Sequence, residues 1–196
     1  MDLMSDARPV AEAGRTLIDI VRDLKPDHLT APTPCADFDV RALVHHLLFW
    51  GPSLEGAGRK ETVPPPAATE SELDLTGGDW AADLVAQVER TAAAWDDPGA
   101  WTGTTHMGGP TELPAALVGG MVTVEFLVHG WDLSRAVGRP ATWDAGLLAH
   151  AHEEVAKTAD MGRQMGVYGP EVPVPDGSPT LDRVLGLTGR DPSWTP

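Results

Sequence analysis

Cysteine is nearly absent from this chain, since Cys35 is the only one among 196 residues. One cysteine permits no internal disulfide, and it excludes a zinc site built from cysteines. The N-terminus also has neither the basic region nor the apolar core of a secretory signal. We therefore expect a cytoplasmic protein.

Basic residues are scarce as well. The chain has 14 Lys and Arg against 29 Asp and Glu, which gives a formal net charge of -15. Such a charge repels a phosphate backbone, and no cluster of Lys or Arg provides a local exception. Nucleic acid is therefore not an expected partner.

Long apolar runs are missing too. The most apolar stretch, residues 113–128, is interrupted by Gly119, Gly120, Thr123 and Glu125, so no membrane partner is predicted. Hydrophobic residues make up 42% of the chain and charged residues 22%, as in ordinary globular proteins. We predict a single domain over residues 1–196.

Helical periodicity dominates what is present. Apolar residues recur at steps of three and four, with Asp39 and Asp79 as N-caps, and this predicts helices over 8–24, 40–51, 80–95, 112–136 and 144–163, with a short one near 181–187. Residues 55–78 are rich in Gly and Pro and are predicted to form a long loop. No strand pattern of convincing length is present. The predicted fold class is therefore all-α, a bundle of four main helices with an additional C-terminal helix.

Glu125 and His129 are four residues apart in the most apolar predicted helix, so they share one face of it. Burial of a lone carboxylate is costly, and the usual remedies are a paired cation, a shifted pKa or a metal ion. A hydrogen bond between Glu125 and His129 without a metal, or a pairing with Arg135, would also satisfy the carboxylate. The spacing alone leaves these alternatives open.

The second predicted helix offers His45 and His46, which point about 100° apart. His46 lies at the edge of the apolar stripe beside Leu43 and Trp50, whereas His45 projects away, so His46 is the better candidate for a shared site. A packed histidine bonded to a backbone carbonyl is the alternative interpretation. Two imidazoles and one carboxylate would leave a coordination position open, as in catalytic metal sites.

Two further features have competing interpretations. Asp132 follows His129 by three residues and could accept the second N–H of a metal-bound histidine, but we favour an ordinary helix ion pair with Arg135. Cys35 precedes a helix and could be a reactive thiol, although a structural role is the favoured interpretation.

Three sequence blocks carry a family resemblance. They are Thr33-Pro-Cys-Ala-Asp-Phe-Asp-Val-Arg-Ala-Leu-Val-His-His-Leu, Glu125-Phe-Leu-Val-His-Gly-Trp-Asp-Leu-Ser-Arg-Ala-Val-Gly-Arg-Pro and Gly189-Arg-Asp-Pro. In this order they resemble the actinobacterial metal-binding proteins of the mycothiol-dependent maleylpyruvate isomerase N-terminal type, which belong to the DinB-like superfamily. The resemblance implies a divalent metal, commonly zinc with nickel as an alternative, held by three ligands that map onto His46, Glu125 and His129.

The resemblance also implies a chemistry. The metal would bind the thiol of mycothiol as cosubstrate and present its thiolate to a small electrophile. The isomerase has a second, C-terminal domain that helps to form its substrate site, and the sequence ends after the bundle. We therefore expect a metal-dependent thiol S-transferase rather than an isomerase.

Other hypotheses use the same residues. One is a non-catalytic, stress-related bundle protein that binds a metal or a small molecule. Another is hydrolysis by a metal-bound water, for which nothing in the sequence identifies a base. Homodimerisation is a further hypothesis, because an exposed apolar helix face needs cover.

Overall fold

The computed structural model of the protein describes residues 8–196 and consists mainly of helices. Its helices, in chain order, are α1 Pro9–Asp23, α2 Val40–Gly58, α3 Trp80–Ala94, α4 Ala115–Ala136, α5 Ala145–Gln164 and α6 Thr180–Leu187. Short 3₁₀ turns occur at Pro26–Thr30, Glu70–Glu72 and Pro98–Trp101. The all-α, DinB-like architecture predicted from the sequence is confirmed. The assignment of residues 1–196 to a single domain stays a prediction.

The first four helices make the bundle. α1 packs against α3 and α4, and α2 packs on the same two helices from the other side. α5 then covers α4, and α6 lies against α5. One hydrophobic cluster runs through all six helices, so α2 and α4 are held face to face where their polar residues meet.

α4 is the central helix. By length and composition it could cross a membrane, with a mean hydropathy of 1.2, but 78% of the apolar window is buried inside the fold. It packs against α1, α2 and α5, and those neighbours together surround it. A helix that is buried on nearly every side shows no single apolar stripe, and the polar side chains on it point into the protein.

α2 extends beyond its predicted end, and the prediction of a stop near Gly51 is wrong. The helix continues through Pro52 to Gly58, with Leu54 and Ala57 buried in its last two turns. Pro52 removes one helical hydrogen bond, but the burial that follows outweighs this loss. Gly51 permits the close approach of α3, because a Cβ there would lie 2.3 Å from the Cγ of Gln87.

The start of α4 also differs from the prediction. Residues Glu112–Pro114, predicted as helical, form a strand, β2, which pairs antiparallel with β1 at Thr104–His106. Thr105 anchors this hairpin by donating a hydrogen bond to the carbonyl of Ala57, with an O–O distance of 2.6 Å. Apolar Leu113 continues the pattern of the helix, so periodicity alone could not place the boundary.

The segment after α6 turns back over the bundle. Gly189 has φ of +80°, and a Cβ there would lie 2.9 Å from backbone atoms of Gly169. Only glycine accepts both the left-handed backbone and this approach at low cost. The turn brings Arg190, of which 6% is exposed, into the interior beside α4.

Candidate metal centre

Three side chains from two facing helices converge between α2 and α4. One potential ligand atom from each of His46, Glu125 and His129 lies within 4.8 Å of the other two. The Nε2 atom of His46 is 3.1 Å from Oε1 of Glu125, and the Nε2 atom of His129 is 3.4 Å from the same oxygen. Both imidazoles therefore direct the same type of nitrogen at one carboxylate.

The structure thus brings together the three residues that the sequence singled out. His45 lies outside the cluster, because its Nε2 is within hydrogen-bonding distance of the Leu73 carbonyl oxygen at 2.9 Å. Two imidazole nitrogens and one carboxylate oxygen form a donor set typical of a catalytic zinc site. The role of the three residues as metal ligands stays a prediction.

Asp132 contacts the ring nitrogen of His129 that faces away from the cluster. Its Oδ2 is 3.0 Å from Nδ1 of His129 and 3.1 Å from a guanidinium nitrogen of Arg190. Asp132 is fully buried, so the carboxylate is shared between an imidazole and a buried cation. A contact of this kind sets which histidine nitrogen carries the proton and leaves Nε2 facing the cluster.

The favoured ion pair between Asp132 and Arg135 is wrong. Arg135 instead donates hydrogen bonds to the backbone carbonyl of Trp194. Asp132 points into the protein, where Arg190 reaches it from 58 residues further along the chain. The alternative interpretation, in which Asp132 accepts from His129, agrees with the geometry.

His46 has a carboxylate partner that the sequence analysis missed. Oε1 of Glu70 is 2.9 Å from Nδ1 of His46, and it also accepts a hydrogen bond of 2.9 Å from Nε1 of Trp50. Glu70 lies in the segment between α2 and α3, where no helical spacing links it to His46. Only the tertiary fold brings them together.

The charges in the cluster shift the proton affinities of its members. Burial acts to lower the pKa of His46, but the hydrogen bonds and charges of Glu125 and Glu70 outweigh it and raise the pKa to about 9. Burial acts to raise the pKa of Glu125, yet the nearby imidazoles of His129 and His46 hold it well below its usual range. Without a metal, His46 is therefore protonated at neutral pH, and its charge offsets part of the negative charge of Glu125 and Glu70.

Tyr168, the only tyrosine, is another residue that the sequence analysis did not identify. Burial raises its pKa, and the negative charge of Glu125 raises it further. The phenol is therefore a neutral group near the cluster at neutral pH. It lies beyond α5 in sequence, in a region without helical periodicity, so no spacing pattern indicated it.

Cys35 lies near the pair formed by Arg190 and Asp132. Burial raises the pKa of its thiol to about 11, with the charge of Arg190 opposing and that of Asp132 adding to the increase. The thiolate is the nucleophilic form of cysteine. These surroundings favour the structural interpretation of Cys35 over a reactive thiol.

Cys35 is accordingly expected to react slowly with iodoacetamide at pH 7.5. A pKa two units above the ordinary value of 9.0 leaves about 100-fold less thiolate, and the greater nucleophilicity of a more basic thiolate restores about tenfold. We expect alkylation at least about tenfold slower than that of N-acetylcysteine, followed by mass spectrometry. The denatured protein is the control and should react like the small thiol. Equal rates in the folded protein would contradict a shielded thiol.

Known proteins are similar to this chain over most of its length. The family model of the mycothiol maleylpyruvate isomerase N-terminal domain matches residues 10–134, a range that contains His46, Glu125 and His129. Two uncharacterised proteins of Mycobacterium tuberculosis, from strains CDC 1551 and H37Rv, are each 28% identical over 176 residues, covering 87% of this chain and 90% of theirs. No solved structure gives a significant match.

Proposed function

This chain belongs to the mycothiol maleylpyruvate isomerase N-terminal domain family, and from that premise we propose that it is a metal-dependent S-transferase that joins mycothiol to a small electrophile. The observation that carries the proposal is the convergence of two imidazoles and a carboxylate within 4.8 Å. Zinc is the proposed ion, with nickel as the alternative.

The donor set fits zinc in kind and in number. Three protein ligands leave one position of a four-coordinate ion for another molecule, which distinguishes catalytic zinc sites from structural ones. The cluster also has outer carboxylates, since Asp132 contacts His129 and Glu70 contacts His46. Zinc-binding histidines commonly have such partners.

Each residue has a proposed part in the chemistry. His46, Glu125 and His129 would hold the ion, which supplies the positive charge that lowers the pKa of a bound thiol. The three ligands carry one formal negative charge when both histidines are neutral, so a divalent ion leaves the centre positive toward an approaching thiol. The aromatic ring of Phe38, whose centroid is 5.2 Å from that of His46, forms an apolar wall beside the cluster.

The proposed reaction is a substitution or an addition at carbon. The thiol gives up its proton to solvent, and its sulfur forms a bond to the electrophilic carbon. In a substitution the leaving group departs with the electron pair of the bond that breaks. In an addition the π bond at that carbon breaks, and the neighbouring atom takes its electron pair and a proton from solvent. No oxidant or reductant is needed. The ordinary location of a thiol pool and the single Cys35 support the further proposal that the protein is cytoplasmic.

The test compares zinc-loaded and chelator-treated protein at pH 7.0 with mycothiol and a chromogenic aryl halide. A shift of the thiol pKa from about 8.5 to about 7 raises the thiolate fraction more than tenfold, and the lower nucleophilicity of the less basic thiolate removes about fivefold of that gain. Conjugation should therefore be at least about threefold faster with zinc. The same assay with glutathione in place of mycothiol compares the rates for the two thiols. One bound zinc without any acceleration would indicate a non-catalytic binding protein, and no bound zinc at all would overturn the metal site.

A further inference from the structure

The segment between α2 and α3, residues 59–79, is fastened along α2 beside the candidate metal centre. Near its middle, Glu70 accepts hydrogen bonds from His46 and Trp50. Further along, the carbonyl of Leu73 is 2.9 Å from Nε2 of His45, and Thr76 accepts a 2.7 Å hydrogen bond from Arg41. The segment therefore presents Glu70 from a fixed position.

Glu70 contacts the side of His46 that faces away from the cluster. Its Oε1 lies at Nδ1, whereas Oε1 of Glu125 lies at Nε2. The two nitrogens of an imidazole point in widely different directions, so a metal between Nε2, Glu125 and His129 is out of reach of Glu70 in this arrangement. Glu70 is accordingly not a member of the three-residue cluster.

The contact at Nδ1 has a consequence for Nε2. A carboxylate that accepts the Nδ1 proton favours the tautomer in which Nε2 has a free lone pair, and it fixes the ring orientation. Asp132 makes the equivalent contact with Nδ1 of His129. Both histidines of the cluster are thus held by a carboxylate on Nδ1, one from the same helix and the other from a distant segment.

We propose that Glu70 is a positioning residue that orients His46 for metal binding, an inference that rests on the metal site of the proposed function. Residues 59–79, which include Glu70, then contribute to metal affinity in addition to packing along α2. The competing role is purely mechanical, with Glu70 serving to hold residues 59–79 against Trp50.

The test is the zinc affinity of Glu70→Ala and Glu70→Gln, measured by competition with a chromogenic chelator at one pH. Loss of an outer carboxylate commonly weakens metal binding 10- to 100-fold, and we expect this range for Glu70→Ala. Glutamine retains a carbonyl oxygen that can accept the Nδ1 proton, so Glu70→Gln should recover most of the loss. The side chain of Glu70 is 30% exposed, so both variants should fold, as circular dichroism can check.

Two matched variants separate positioning from fastening. Trp50→Phe removes the other hydrogen bond to Glu70 and leaves His46 in place, and Glu72→Ala changes an exposed carboxylate of the same 3₁₀ turn. Both should bind zinc within about threefold of the unaltered protein. Equal weakening by Trp50→Phe and Glu70→Ala would support the mechanical role, and affinity within threefold for Glu70→Ala would overturn positioning.

The outcome for the unaltered protein keeps the two proposals apart. If it binds no zinc, the metal site fails and the role of Glu70 fails with it. If it binds zinc but conjugates no thiol, the S-transferase proposal fails while the affinities of the Glu70 variants still decide the positioning role.

Discussion

Replacing His129 with alanine is expected to weaken zinc binding by more than 100-fold. The substitution removes one of three proposed ligands and leaves the buried carboxylate of Asp132 without its imidazole partner. Loss of an outer-shell partner alone costs about 10- to 100-fold in affinity, and loss of a direct ligand should exceed that range. His46→Ala and Glu125→Ala should have effects of similar size.

The measurement is chelator competition supported by elemental analysis of the purified variants. All variants must be compared at one pH, because zinc has to displace the proton that the raised pKa of His46 retains at neutral pH. His152→Ala is the control, since it removes a histidine of α5 that lies outside the cluster. Binding by His129→Ala within tenfold of the unaltered protein would contradict the assigned ligand set.

Replacing Asp132 with alanine should lower the free energy of unfolding by about 3–5 kcal/mol in the metal-free protein. The side chains of Asp132 and Arg190 are 0% and 7% exposed, and they are 3.1 Å apart. Removal of the carboxylate leaves a guanidinium buried without its counter-charge, which is the costly case for interior ion pairs. Urea denaturation followed by circular dichroism measures this loss.

A surface pair provides the control for this prediction. Asp160 contacts Arg163 at 2.7 Å but has a side chain that is 91% exposed, so Asp160→Ala should cost less than about 1 kcal/mol. A double variant, Asp132→Leu with Arg190→Met, should recover much of the loss, because it removes both buried charges together. Similar costs for Asp132→Ala and Asp160→Ala would refute the assigned importance of the buried pair.

The helices could be predicted from the sequence because local signals and tertiary packing agree along most of the chain. Asp39 and Asp79 cap α2 and α3 in the structure as predicted. The predicted end of α2 near Gly51 was wrong because the helix after Pro52 depends on the burial of Leu54 and Ala57, which local signals do not reveal. The two short strands, at Thr104–His106 and Glu112–Pro114, exist only through their mutual pairing.

Some residues of the candidate site could be predicted from the sequence, and others could not. Glu125, His129 and Asp132 follow one another at steps of four and three residues on α4, so helical spacing could relate them. Helix geometry also favoured His46 over His45, and the family resemblance added the role of metal ligand. Glu70 and the Arg190 that binds Asp132 come from distant parts of the chain. No spacing rule relates such residues, and a single sequence cannot reveal that they meet.

The turn at Gly189 has a consequence for the order of events during protein synthesis. The N-terminal part of a chain is made first, so a growing chain contains His46, Glu125 and His129 well before Arg190 is added. Until then Asp132 lacks the cation that holds it against His129 in the finished protein. The three proposed ligands are therefore synthesised early. The contact between Asp132 and Arg190 can form only when the chain has been translated past residue 190.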